Sequence, residues 1–149
     1  MLHVYEFEVF KDADVYLAFP FDMEGGTQGS SLQEVSEMAA DWLQLEIEHR
    51  TIHGLPFPKP TYGNKLNHDG ERLLVAVNVS KETIPRLTYA EAAKRLGVTR
   101  GRVSQMVSSG KLETFELDGR NWVTKYSVEA RQEEKPKPGR PKKEAQVSK

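Results

Sequence analysis

The chain opens with alternating polar and apolar residues. In VYEFEV, residues 4–9, acidic and apolar side chains take turns, and this period of two is typical of a strand. A turn at residues 12–14 and a second β-rich run, VYLAFPF, complete a predicted hairpin. The segment MEGGTQGSS has room for a turn and a short third strand.

After residue 31, the spacing of the apolar residues changes from every second residue to the spacing that is typical of a helix. Ser31 followed by Glu34 is a capping-box pattern that predicts a helix start, and Gly54 supplies a stop signal. Apolar residues between them recur at helical spacing. The predicted core face comprises Leu32, Val35, Ala39, Trp42 and Leu45, with Met38 and Leu43 beside it.

Residues 54–70 contain three prolines and three glycines, so we expect a loop there, either structured or mobile. The following run, RLLVAVNV, is mostly apolar and predicts a strand buried in the centre of the sheet. The succession of strands and one helix predicts an α+β domain over residues 1–80, with an antiparallel sheet on a long helix. Residues 81–86 form a predicted linker.

A second domain is predicted over residues 87–131. Thr88 and Glu91 form another capping box before a short amphipathic helix that ends at Gly97, and Thr99 can cap a second helix. Beyond Gly110, two β-rich runs flank Asp118 and Gly119, a strong hairpin signal. Ser127 is a candidate cap for a last short helix.

The second helix has two distinct sides. Val103, Met106 and Val107 face the first helix in this interpretation, which leaves polar and cationic residues outside. A helix of this kind fits the major groove of DNA. The candidate DNA contacts are Arg100, Arg102 and Gln105 for base edges, Ser104 and Lys111 for phosphate, and Arg120, Asn121 and Lys125 along the hairpin.

Residues 87–131, with the pattern LTYAEAAKRLGVTRGRVSQMVSSGKL followed by a hairpin, resemble the excisionase and MerR-like winged helix-turn-helix domains. The hairpin would be the wing, with Trp122 in its core. Residues 132–149 lack aromatic side chains and predict a disordered basic tail. Within it, KPGRPKK resembles an AT-hook, which implies that Arg140 inserts into the minor groove. A tail that adds only non-specific charge is the alternative.

Charge separates the two halves of the 149 residues. Residues 1–86 carry 7 Lys and Arg against 14 Asp and Glu, a net charge of −7, whereas residues 87–149 carry 14 against 8, a net charge of +6. A basic half suits a polyanion, and an acidic half suits a basic protein. The chain has no cysteine, no signal-peptide layout and no long apolar run, so we expect a cytoplasmic protein without a membrane segment.

No catalytic constellation is evident, so we expect no enzyme activity, no cofactor and no metal. The carboxylates of the first half could in principle bind magnesium as a nuclease does, but no pattern makes them converge; they are Asp12, Asp14, Asp22, Glu24, Glu46, Glu48 and Asp69. His49 and His53 have a zinc-compatible spacing, but Arg50 stands where a zincin helix has its glutamate. Histidines at a helix end usually complement its dipole.

The first half resembles the HicB-type antitoxins over residues 2–80. The shared features are an aromatic strand, the TQG element at residues 27–29, a long helix, and a Gly-x-Pro-x-Pro loop beginning at Gly54. The chain departs from the family at residues 20–26, PFDMEGG, where the family often has PDLPGC. The resemblance implies a partial ribonuclease-H-like sheet and helix without the full catalytic set.

The resemblance also implies a partner, a small basic RNA-cleaving toxin of the HicA type. Acidic residues would hold it, and the candidates are Asp12, Asp14, Asp22 and Glu24. The chain would then be an antitoxin that represses its own operon as a homodimer or higher even oligomer on double-stranded operator DNA. The alternative is a stand-alone transcription regulator whose first domain senses a ligand or dimerises.

Overall fold

The computed structural model describes residues 1–134. The chain divides into two compact units, which we call unit 1, Met1–Ile84, and unit 2, from Pro85 onward. The division falls next to a short 3-10 helix, Lys81–Thr83, and Ile84 is fully buried. The predicted linker is therefore structured along part of its length. No helix in residues 1–134 is both long enough and apolar enough to cross a bilayer.

Unit 1 has the predicted α+β architecture. Its elements before the 3-10 helix are β1 (Leu2–Asp12), β2 (Val15–Pro20), β3 (Thr27–Gly29), α1 (Leu32–His53) and β4 (Glu71–Asn78). The strands form one antiparallel sheet in the order β3-β2-β1-β4. Helix α1 packs on one face of this sheet, against β2, β3 and β4.

The core of unit 1 lies between α1 and the sheet. Phe7 from β1 is fully buried and meets the edge of the Trp42 ring, with 6.0 Å between ring centroids. The residues of α1 that are fully buried recur every four positions; they are Val35, Ala39, Leu43 and Ile47. The predicted core face of α1 is confirmed for Val35, Ala39 and Leu43, and half-buried Trp42 also contacts the core. The prediction was wrong for Leu32, Met38 and Leu45, which are exposed. Apolar residues occur on several sides of this helix, so periodicity alone did not separate its buried positions from its exposed ones.

The close contact between β3 and the start of α1 explains the glycine of the TQG element. Ser31 caps the helix by accepting a hydrogen bond from the Glu34 amide at 3.0 Å. Gly29, the last residue of β3, lies so close to the helix that a Cβ there would be 2.6 Å from the Val35 nitrogen. Since any side chain would separate β3 from the first turn of α1, glycine is required at this position.

Residues 62–70, the second part of the predicted loop of residues 54–70, cover the other face of the sheet. Two glutamates on β1, Glu6 and Glu8, point to this face, yet both are buried. Glu6 accepts hydrogen bonds from the amides of Gly63 and Asn64 at 3.0 and 2.9 Å. The hydroxyl of Tyr62 donates to the Val4 carbonyl at 2.8 Å. The loop has no regular element, but it is structured and fixed to β1.

Glu8 holds the second part of the loop. Its carboxylate accepts hydrogen bonds from the amides of Asn67, His68 and Gly70 at 2.8, 2.8 and 3.0 Å. The His68 ring stacks on Phe10, with 4.0 Å between ring centroids and an interplanar angle of 8°. The two glutamates and the loop amides form an anchor that we call the glutamate clamp.

Strand β4 is not in the centre of the sheet as predicted. It is the terminal strand, beside β1. Val75 and Val77 are buried, but Leu74 and Ala76, which alternate with them along the strand, are exposed. The prediction was wrong because the exposed positions are themselves apolar, so the alternation of burial is hidden in the sequence.

Unit 2 contains short helices and a small sheet. Its elements are β5 (Arg86–Leu87), α2 (Tyr89–Leu96), α3 (Arg100–Ser108), β6 (Thr114–Leu117), β7 (Arg120–Thr124) and α4 (Lys125–Glu133). The strands pair antiparallel in the order β5-β7-β6. The apolar interior is built from all the helices and from β7; its buried members are Ala92, Ala93, Val103, Met106, Leu112, Val123 and Val128.

The last helix begins earlier than predicted. Thr124, not Ser127, is its N-cap residue, and the Ser127 hydroxyl donates back to the Thr124 carbonyl at 2.9 Å. Helix α4 reaches Glu133, so residues 132 and 133 belong to it rather than to the predicted tail. The AT-hook-like segment, residues 137–143 with Arg140, lies outside the described residues.

Candidate nucleic-acid interface

Capping hydrogen bonds define the ends of α2 and α3, the two helices of the candidate DNA-binding motif. The Thr88 hydroxyl accepts from the Glu91 amide at 3.0 Å, and the Glu91 carboxylate accepts from the Thr88 amide at 2.8 Å, a complete capping box. Gly97 ends α2 in the left-handed conformation with φ 67°. Thr99 caps α3 two residues later by accepting from the Arg102 amide at 3.1 Å. The turn between the helices is therefore short and firmly defined.

Helix α3 has a buried side and a solvent side. Val103 and Met106 are buried in the interior of unit 2. The solvent side presents Arg100, Arg102, Ser104 and Gln105, all exposed. The Arg102 guanidinium donates to the Gln105 side-chain oxygen at 3.4 Å. The structure thus brings together the residues for which the sequence predicted base or phosphate contacts on this helix.

The hairpin turn places two further candidates. Asp118 and Gly119 both have positive φ, 54° and 73°, as a two-residue turn between twisted strands requires. Arg120 and Asn121 follow directly at the start of β7, and both are exposed. The hairpin therefore carries a cation and an amide near its tip.

Trp122 contacts two arginines and is not a fully buried core residue. Its side chain is half-buried, with the Arg120 guanidinium 4.6 Å and the Arg86 guanidinium 4.9 Å from the ring centroid. Both distances are typical of cation–π contacts. Sequence reasoning did not include Arg86, because it stands in the predicted linker, far from Trp122 along the chain.

A cleft lies between the hairpin and the starts of helices α2 and α3. It has a volume of about 390 Å³, and its lining includes Arg100, Arg120 and Asn121 beside residues 88–90 at the start of α2. The hydrogen bond from the Thr88 amide lowers the pKa of Glu91, and the positive charge of Arg120 lowers it further. Two guanidinium groups and an amide in one cleft offer the donors that an anionic phosphate group accepts.

Two predicted lysine contacts have different surroundings. Lys111 follows α3 and is exposed. Lys125 is the first residue of α4 rather than a residue of the hairpin, and it is half-buried. Its amide donates to the Pro85 carbonyl at 3.0 Å. Lys111 thus extends the exposed cationic surface, whereas Lys125 stands at the junction of β7 and α4.

The acidic candidates of unit 1 do not form one patch. Asp12 and Asp14 flank the turn at one end of β2, whereas Asp22 and Glu24 follow its other end. The six residues of β2 separate these pairs by about 20 Å. Asp22 is also engaged within the unit, since it accepts hydrogen bonds from the amide and hydroxyl of Thr61 at 2.8 and 2.7 Å.

Two buried carboxylates of unit 1, those of Glu6 and Glu8, stabilise the fold. Burial raises the pKa of Glu8, but the amide hydrogen bonds from Asn67, Gly70 and His68 outweigh it, so the pKa is lowered. The pKa of Glu6 is lowered for the same reason by Asn64 and Gly63. These roles could not be predicted from the alternating pattern of β1, because such a pattern suggests that the polar residues face water. Both carboxylates are occupied by amide donors of the loop.

No protein-family model and no curated protein matches the chain. Among solved structures, the chain is similar to a toxin-antitoxin complex from Streptococcus pneumoniae, with a TM-score of 0.48 and 16% sequence identity. The similarity covers 74% of this chain and 99% of that chain.

Proposed function

We propose that the chain is the antitoxin of a type II toxin–antitoxin system. In this proposal unit 1 binds and neutralises a basic, RNA-cleaving toxin of the HicA type. Unit 2 is a winged helix-turn-helix domain that binds operator DNA and represses the operon. The chain itself is not an enzyme.

The observation that carries the DNA-binding part is the solvent side of α3. Arg100, Arg102 and Gln105 project from a helix whose opposite side is held by the interior of unit 2. Arginine and glutamine can read guanine and adenine edges in the major groove. The cleft that contains Arg100 and Arg120 supplies donors for the flanking phosphates.

Charge supports the assignment of the toxin to unit 1. Residues 1–84 carry 6 Lys and Arg against 14 Asp and Glu, a net charge of −8. Such a surface repels nucleic acid and attracts a cationic protein. The resemblance to HicB-type antitoxins over residues 2–80 gives that cationic partner its expected class.

Co-expression tests the toxin-binding part. The chain is tagged and expressed together with the neighbouring reading frame, and the frame is also expressed alone. We expect a small basic protein to co-purify at fixed stoichiometry and to arrest growth when the chain is absent. If the chain purifies alone and still binds DNA, the antitoxin proposal is refuted and a stand-alone regulator takes its place.

Substitution on α3 tests the DNA-binding part. Arg102→Ala should weaken binding to operator DNA by about 1–3 kcal/mol and reduce discrimination against random DNA. Arg95→Ala is the matched control, because Arg95 is an arginine of unit 2 on α2 that bonds Gln132. Equal losses for the two variants in a titration at fixed salt would show that α3 does not read the operator.

The absence of enzyme activity is tested on the same preparation. We expect no cleavage of RNA by the purified chain with magnesium. Cleavage that persists through further purification and disappears in a variant of unit 1 would contradict the proposal.

A further inference from the structure

Strand β4 forms one edge of the unit 1 sheet, and no strand within residues 1–134 pairs with its outer side. It pairs with β1 through eight consecutive residue pairs, from Leu2 with Asn78 to Val9 with Glu71, so no bulge interrupts it. Its sequence, ERLLVAVN, contains no proline, glycine or lysine. Natural sheets usually protect such an edge with bulges, prolines or lysines. A regular edge of this length without them is suited to pairing with another strand.

The hydrogen bonds at the end of β4 identify the backbone groups that face outward. The Val79 amide donates to the Met1 carbonyl at 2.9 Å, and the Met1 amino group donates to the Val79 carbonyl at 3.2 Å. In an antiparallel pair, residues that bond the neighbour alternate with residues that do not. Val77, Val75 and Leu73 therefore also bond β1. The residues between them direct their amides and carbonyls to the open edge; they are Arg72, Leu74, Ala76 and Asn78.

The side chains at this edge form an apolar strip. On the sheet face that bears the glutamate clamp, Leu74 is 59% exposed and Ala76 is exposed next to it. Leu2, on the neighbouring strand β1, is 64% exposed. Burial of this strip against another strand would remove apolar surface from water.

The charge of the edge indicates what kind of partner it fits. Glu71 and Arg72 are the charged residues of β4, and their charges cancel, whereas unit 1 as a whole is strongly acidic. A basic partner would gain little at this neutral edge, whereas a second copy of β4 brings no net charge to it. In an antiparallel pair of copies, the Glu71–Arg72 pair of one copy and that of the other lie at opposite ends of the interface, so like charges do not face each other.

We propose that β4 pairs with β4 of a second copy of this chain, antiparallel and centred on Val75, to form one continuous sheet. This register places Arg72 opposite Asn78 and Leu74 opposite Ala76 of the other copy. Each outward-facing residue of β4 then donates and accepts one hydrogen bond. A register centred on Leu74 or on Ala76 leaves part of these groups unpaired. The inference does not depend on the proposed function, because it uses the edge of unit 1 alone.

The experiment compares two leucine substitutions in the full chain. Leu74→Lys places a charge on the edge, and Leu45→Lys places the same charge on the solvent side of α1, where Leu45 is 52% exposed. Sedimentation equilibrium should show a dimer whose dissociation constant rises more than about tenfold for Leu74→Lys and stays unchanged for Leu45→Lys. Circular dichroism melts establish that both variants fold.

Hydrogen exchange of single amides distinguishes this interface from others. We expect the Leu74 and Ala76 amides to become protected as the concentration of the wild-type chain rises, and Leu74→Lys to abolish that protection. A wild-type monomer at every concentration overturns the proposal. A dimer that survives Leu74→Lys with unprotected edge amides places the contact elsewhere and overturns it too. Protection that appears only with a different protein assigns the edge to that protein instead of a second copy.

Discussion

Replacing Glu8 by glutamine should loosen the loop of residues 54–70 and destabilise unit 1. The carboxylate is only 2% exposed and accepts three backbone amides of that loop. The oxygen nearest to His68 and Gly70 accepts two of them. In Glu8→Gln an NH₂ group replaces one carboxylate oxygen. This NH₂ group would face backbone amides of the loop, which are donors too, so their hydrogen bonds would be lost.

The expected cost follows from the hydrogen bonds lost. A hydrogen bond to a charged group contributes about 1.5–3 kcal/mol, and an unsatisfied buried donor costs about 1–3 kcal/mol. Glutamine retains one acceptor and avoids the burial of a charge, which offsets part of the loss. We therefore expect the free energy of unfolding of unit 1 to fall by about 2–4 kcal/mol at pH 7.

The stabilisation of unit 1 by the Glu8 carboxylate should decrease in acid. The pKa of Glu8 is lowered in the folded protein by the loop amides, so the carboxylate stabilises the fold fully at any pH above the pKa that it has in the unfolded chain. That contribution is lost as the pH falls through the folded pKa. The difference in stability between the wild type and Glu8→Gln should therefore be constant near neutral pH and narrow progressively in acid.

Urea unfolding followed by tryptophan fluorescence measures this effect. Trp42 belongs to unit 1 and Trp122 to unit 2, so a Trp122→Phe background reports unit 1 alone. Glu71→Gln is the matched control, because it removes an exposed carboxylate from β4. If Glu8→Gln changes the unfolding free energy by no more than about 0.5 kcal/mol, as surface substitutions do, and the Asn67 and His68 amides exchange as before, the clamp does not hold the loop.

Three further substitutions have definite expected results. Gly29→Ala should lower the unfolding free energy of unit 1 by about 1–3 kcal/mol, because its Cβ would be 2.6 Å from the Val35 nitrogen; urea unfolding measures it, and an unchanged midpoint would contradict the close contact. Thr88→Ala should destabilise unit 2 by about 1 kcal/mol through loss of the helix cap, with Thr88→Ser as the control that retains it. Trp122→Leu should weaken DNA binding at low salt more than at high salt, since it frees Arg120 from the ring; equal losses at both salt concentrations would indicate general damage to unit 2.

Local signals predicted much of the fold. The hairpin of β1 and β2, the cap at Ser31, the stop at Gly54 and the helix pair of unit 2 all depend on residues close together in sequence. Such features follow from backbone conformation and capping, which a short segment determines by itself. The solvent side of α3 was predictable for the same reason, because Val103 and Met106 mark its buried side.

The rest depends on contacts between distant segments. Glu6 and Glu8 are buried because a loop about 60 residues later in the chain covers them, and nothing near them in the sequence indicates that cover. The boundary of the buried face of α1 and the terminal position of β4 likewise depend on which surfaces meet in three dimensions. Both elements expose some apolar residues, such as Leu45 and Leu74, and hydrophobicity alone assigned these residues to the core.

The glutamate clamp holds the loop through its main chain. Backbone amides are provided by every residue except proline, so the hydrogen bonds to Glu6 and Glu8 do not depend on the side chains of the residues whose amides donate them. Exposed lysines of the loop, such as Lys59 and Lys65, can be replaced while the path of the loop is kept. The clamp therefore keeps the conformation of the loop largely independent of its exposed side chains. Substitutions at those positions can give this surface new binding partners without a change of fold.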